Sequence, residues 1–116
     1  MTQKNNEIKK IKNDFQNVQE LLYVIGDETR QLILLVLMEA DCKVGMRVGE
    51  ITEKTHLSRP AVSHQLRILK DIGIVKYRAE GTKNFYYIDV IGNRELFGNL
   101  KKLVVHIEDL MDVLEE

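Results

Sequence analysis

With 116 residues, 44% of them hydrophobic and 30% charged, the chain has room for one domain with one modest core and too much apolar content for wholesale disorder. Its longest unbroken apolar run, Leu32 to Met38, is far short of the roughly 20 residues a membrane span needs, and the polar start MTQKNNEIKKIKND holds no secretion segment, which predicts a cytoplasmic protein with no membrane partner. One cysteine, Cys42, excludes an internal disulfide, and the net charge of −1 hides a division: nine Lys or Arg against four acids from Lys43 to Asn84, eight against fourteen elsewhere.

Ile8, Ile11, Phe15, Val18, Leu22 and Ile25 recur at alternating spacings of three and four, which predicts an amphipathic helix over residues 1–25. Gly26 stops it, and Asp27 is placed to cap a second helix from Glu28 to Glu39, whose ILLVLM run predicts burial on most sides. Lys43 to Gly49 contains two glycines and has space for a few residues of strand. A short helix is expected from Glu50 to Thr55, then a turn at His56 and Leu57. Ser58 is an N-cap type, Pro60 suits a first helical turn that needs no backbone donor, and the helix so begun runs to a glycine stop at Gly73. Residues 50–72 thus read as a helix-turn-helix.

The segments Ile74 to Arg78 and Phe85 to Asp89 are rich in β-branched and aromatic residues and flank a polar tip, Ala79 to Asn84, which predicts a hairpin over 74–89. Leu96, Leu100, Leu103, Ile107, Leu110 and Leu114 then repeat the seam of the first helix over residues 93–115. The predicted fold is one domain over 1–116, mainly α with a small β-hairpin: a winged helix-turn-helix.

On the helix after Ser58, Val62, Leu66, Leu69 and Ile72 share one face and must point into the core. The opposite side presents Arg59, Ser63, Arg67 and Lys70, with His64 at its margin. Basic and hydroxyl side chains there suit a reader of the major groove, and the helix start at Ser58 offers free amides to a phosphate. A solvated amphipathic helix has the same pattern. The hairpin adds the deciding context, because Arg78 and Lys83 straddle its tip beside the reader helix, where groove or phosphate contacts are made. Duplex DNA is therefore the expected partner, with a winged-helix module for protein contact as the alternative. An enzyme is not expected: there is no phosphate-cradling glycine loop and no nucleophile in a supporting constellation.

HLSRPAVSHQLRILKDIGIVKYRAEGTKNFYYI resembles the ArsR/SmtB family of bacterial winged-helix repressors, and GDETRQLILLVL is similar to the opening of that family's central helix. Ser63-His64 followed by Leu66, Leu69 and Gly73 is the most specific part of the likeness. The resemblance implies a repressor that binds an imperfect inverted repeat as a homodimer joined through its first and last helices. The seam residues so implicated are Ile11, Phe15, Val18 and Leu22 with Leu100, Leu103, Ile107 and Leu110, although the same seams also fit a subunit's own core.

Many members of the family release DNA on binding metal. The Cys-x-Cys pair known from one ligand region falls here on Arg47 and Gly49, so that site is absent, and Cys42 upstream reads as an inert buried thiol. A second region, which in the family joins the two last helices across the dimer, aligns with Asn93, Glu95, His106 and Asp109, making Glu95, His106 and Asp109 candidate ligands for a zinc-like divalent effector. An amide at position 93 counts against it, and His106 as an ordinary surface or interface histidine is the competing reading. No resident cofactor is required.

Overall fold

The computed structural model describes residues 2–41 and 43–116; Cys42, read above as a buried thiol, lies outside them. The element order is α1 (Gln3–Ile25), α2 (Glu28–Glu39), α3 (Val48–Thr55), α4 (Arg59–Ile72), β1 (Val75–Glu80), β2 (Lys83–Ile88), a 3-10 turn (Ile91–Asn93) and α5 (Arg94–Glu115). The chain forms two compact units, Met1–Leu22 with Arg94–Glu116, and Tyr23–Asn93.

The Tyr23–Asn93 unit is built on α2, which packs against α3, α4 and β2. Asp27 caps α2 as its residue type suggests, its carboxylate accepting from the Arg30 N–H at 3.0 Å. Ile33, Leu34, Val36 and Leu37 of α2 join Ile51, Val62, Leu66, Leu69, Ile74, Val75 and Ile88 in the core. The expectation that α2 is buried on most sides needs correction. Leu32, Leu35 and Met38 are exposed, Leu35 by 57%, because the α3, α4 and β2 contacts lie along the opposite face of the helix.

α3 begins at Val48, two residues ahead of the sequence estimate, because the Glu50 carboxylate folds back to accept from the Arg47 N–H at 3.4 Å and closes an earlier first turn. It ends on His56 in the left-handed region (φ 60°), a conformation that turns the chain sharply toward α4. Ser58 and Gly73 bound α4 at the positions expected, the serine hydroxyl accepting from the Ala61 N–H at 3.2 Å and the glycine taking φ 90°.

The hairpin lies within the expected 74–89, but its strands run further toward a tighter tip than the sequence predicts. β1 and β2 pair antiparallel from Val75 opposite Ile88 to Glu80 opposite Lys83, leaving only Gly81 and Thr82 as the loop. Positive φ at Gly81 (62°) and not at Thr82 is the pattern of a type II′ turn, whose twist suits a two-residue connection. A third strand contact is added by Met46, which exchanges two backbone hydrogen bonds of 2.8 Å with Tyr86. The wing is thereby tied to the segment that leads into α3.

In the other unit, Glu7, Asp14, Val18 and Leu21 form the buried line of α1, and Leu103 is the buried residue of α5. This corrects part of the proposed intersubunit seam. Val18 and Leu103 are covered within the chain and have no surface to offer a second copy, whereas Phe15 is 45% exposed. Ile11, Leu22, Leu100, Ile107 and Leu110 are half-buried.

Candidate nucleic-acid interface

α4 places its two faces as its periodicity demands. Val62, Leu66 and Leu69 are buried, while Arg59, Ser63, His64, Arg67 and Lys70 are exposed. Burying three such aliphatic side chains stabilises the unit by about 1.5–3 kcal/mol each, which fixes the rotation of the helix and hence the direction of its outer side chains. Ser58 is exposed at the helix start, its hydroxyl engaged as the cap.

Beneath this face is a residue whose role the sequence reading did not assign. Arg30 is buried, and its guanidinium donates to the carbonyls of Val24 at 2.7 Å and Tyr23 at 2.9 Å and to Gln65 Oε1 of α4 at 3.0 Å, while stacking on the Tyr23 ring. It satisfies carbonyls in the last turn of α1, which the helix cannot satisfy itself, and couples them to the reader helix. The signal was the Asp-x-Thr-Arg opening: an arginine inside an otherwise apolar buried helix must have several acceptors nearby.

The hairpin supplies fewer free cations than its sequence suggests. Arg78, expected beside DNA, donates to the carbonyls of Lys43 and Val44 at 2.8 Å each, pairs with Glu80 at 3.1 Å and stacks on Phe85. Its geometry makes it a staple between the wing and the 43–44 loop, with part of its side chain still exposed. Lys76 is similarly committed, with Nζ 2.6 Å from Asp89 Oδ2. That bond lifts the Lys76 ammonium above its ordinary range, and the same bond, helped by the Gly92 N–H, holds the Asp89 carboxyl below its own. Lys83 at the tip is exposed and enters none of the ion pairs among the described residues.

Within one chain the candidate metal ligands lie apart. Glu95 is about 16 Å from His106 along α5 at 1.5 Å per residue, and among the described residues no three His, Cys, Asp or Glu side chains are placed to share an ion. His106 instead directs Nδ1 at the carboxylate of Asp14, a buried residue of α1. Asn93 is also employed otherwise, its amide donating to the carbonyls of Gly73 at 2.9 Å and Asp89 at 2.6 Å. Within one chain these residues do not fit a metal centre.

Residues 27–77, the span that holds α2, α3, α4 and the start of the hairpin, match the family described as "Bacterial regulatory protein, arsR family". Over 74 residues the chain is 43% identical to an uncharacterised HTH-type transcriptional regulator of Methanocaldococcus jannaschii, covering 64% of this chain and 80% of that protein. The chain belongs to the ArsR family. It is accordingly a DNA-binding transcription regulator with a winged helix-turn-helix. A second relative, the transcriptional repressor SdpR of Bacillus subtilis, is 34% identical over 65 residues, 56% of this chain and 68% of that one. Among solved structures, an ArsR-like transcriptional regulator from Rhodococcus sp. RHA1 has the same fold, with a TM-score of 0.71 at 19% identity over 87% of this chain and 89% of the other.

Proposed function

We propose that this ArsR-family protein is a repressor that acts as a homodimer on an inverted repeat, each α4 lying in a major groove. The observation that carries this is the outer face of α4, where Arg59, Ser63, His64, Arg67 and Lys70 stand exposed on a helix locked by its buried side. Arg59, Ser63 and His64 occupy the first two turns, the part of a recognition helix that meets base edges. Lys83 at the hairpin tip suits a backbone phosphate.

Dimerisation is supported by the apolar residues that folding leaves uncovered on α1 and α5: Phe15, Val104, Val105, Met111 and Leu114. They move the interface off Val18 and Leu103 and onto the outer flank of each seam. Repression is supported by the name of the SdpR relative. Among the described residues no helix is long and apolar enough to cross a membrane. The reading needs no catalytic residue and no resident metal; zinc is expected to leave DNA affinity unchanged, and a tenfold fall that His106→Ala abolishes would overturn that part.

The test is selection of bound sequences from a random duplex pool by the purified protein. An enriched inverted repeat whose affinity falls by about a thousandfold between 50 and 200 mM salt is expected, since each neutralised phosphate releases counterions. No enrichment at low salt would transfer the basic face to a protein partner.

A further inference from the structure

α4 and the hairpin enclose a cleft of about 220 Å³ lined by Ser63, Leu66, Arg67, Lys70 and Tyr86. Two basic residues and two hydroxyl-bearing ones are among its lining, and no acidic residue is. The other basic cleft of the helix-turn-helix, about 350 Å³ between α3 and α4, sets Glu50 and Glu53 against Arg47 and Arg59. Of these two clefts the first is the one unopposed in charge. Its volume is that of about seven waters at ~30 Å³ each, enough for one phosphate group with part of its hydration. It falls below the roughly 300–1,000 Å³ of pockets that hold organic ligands.

The walls are fixed before any ligand arrives. Tyr86 is held by its two 2.8 Å backbone bonds to Met46 and by the Tyr77 ring, whose centroid is 5.6 Å from its own. Lys70 Nζ sits 5.5 Å from the Tyr77 centroid, so the tyrosine pair supports the lysine at the cleft's edge. Neither Arg67 nor Lys70 enters an ion pair among the described residues. Arg67 lies about 12 Å beyond Arg59 along the helix, well past the turns that meet bases.

We propose that this cleft seats a single backbone phosphate of the duplex, with the Tyr86 hydroxyl donating to it beside Arg67, Lys70 and Ser63. The proposal rests on the DNA-binding reading above and gives Tyr86 a recognition role. A phosphate so held fixes the register between reader helix and wing and is blind to base sequence.

The experiment uses the full chain, its selected operator and a scrambled duplex, with affinities measured from 50 to 200 mM salt. Tyr86→Phe keeps the ring and is expected to weaken both duplexes alike, by about three- to tenfold, without changing the salt slope, because no charge is removed. Lys70→Gln should weaken both and lower the slope by about one unit. Duplexes carrying one uncharged methylphosphonate at successive positions then locate the contact: at one linkage per half-site Tyr86→Phe should cost nothing further. Equal binding by Tyr86→Phe and wild type overturns the phosphate seat while leaving the DNA reading intact, and so does a loss confined to the operator or full additivity at every linkage. Inorganic phosphate displacing the duplex only by its ionic strength is expected, whereas saturable displacement at constant ionic strength would make the cleft a free-anion site instead. A wild type that binds no duplex overturns both readings.

Discussion

The two units of this protein differ in what they bury. In Tyr23–Asn93 the interior is aliphatic apart from Arg30 and Thr55, with Asn93 at its margin, and these find backbone or side-chain partners. In the unit of α1 and α5, two carboxylates, Glu7 and Asp14, are buried, while Phe15, Val104, Val105, Met111 and Leu114 face outward. The first unit also leaves Leu32, Leu35 and Met38 of α2 outside, so the difference lies in what is buried: an aliphatic core in one, carboxylates beside an outward apolar flank in the other. An outward apolar flank is the placement expected of an assembly surface.

The contrast is sharpest under truncation. Leu69→Ala, at a fully buried position of α4, should lower stability by about 2–5 kcal/mol, read from the denaturant midpoint. Leu114→Ser, 58% exposed on α5, should leave unfolding of dilute protein within about 0.5 kcal/mol yet raise the dimer dissociation constant at least tenfold by sedimentation. Equal effects on unfolding would dissolve the distinction. Arg30→Met comes next, at about 2–4 kcal/mol, because three acceptors lose a charged donor in the interior; its operator affinity should also fall through the lost bond to Gln65.

Asp14 and His106 test the other unit. Asp14→Leu or His106→Leu alone should cost about 1–3 kcal/mol by leaving one buried polar partner unmatched, and the double variant should cost less than the sum of the singles. Strict additivity would mean the contact carries no coupling. The smallest effect belongs to the exposed Lys76–Asp89 pair. Since the folded Asp89 carboxyl lies below its unfolded value, its contribution is complete above about pH 4 and lost as pH falls through the lowered folded value. Lys76, raised on folding, holds its share until pH climbs beyond the ordinary lysine range. Wild type should thus lose slightly more stability than Asp89→Asn between pH 4 and 3, and parallel titrations would remove the pair from the account.

How far each part could be read from residues alone follows the same division. Ser58, Gly73 and the four-residue and three-residue spacings of α4 describe a helix whose ends and faces are set locally, so its boundaries and outward cations were legible. Asp27 and Gly26 fixed the junction of α1 and α2 for the same reason. The register of the hairpin was not, since Ala79, Glu80, Lys83 and Asn84 are poor strand formers individually and join the ladder through cross-strand bonds. Nor did periodicity reveal which flank of α1 is covered: Phe15 and Asp14 are neighbours in sequence, and the acid is the buried one because His106 waits for it. At the candidate interface, the types of Arg78 and Lys83 are alike in sequence and differ in fate only because the Lys43 and Val44 carbonyls lie within reach of Arg78.

The two bonds between Met46 and Tyr86 impose a lasting demand on the residue just before them. Gly45 has φ 77°, and a Cβ there would come within 2.9 Å of the Tyr86 carbonyl oxygen. Lys43 and Val44, just before it, meet Arg78 of the wing only through their backbone carbonyls, so their side chains can vary as the protein diverges. Position 45 has no such latitude. In a saturation library screened for operator binding it would stand out as a nearly invariant letter within a permissive stretch, a mark left on heredity by a backbone contact rather than by any side chain.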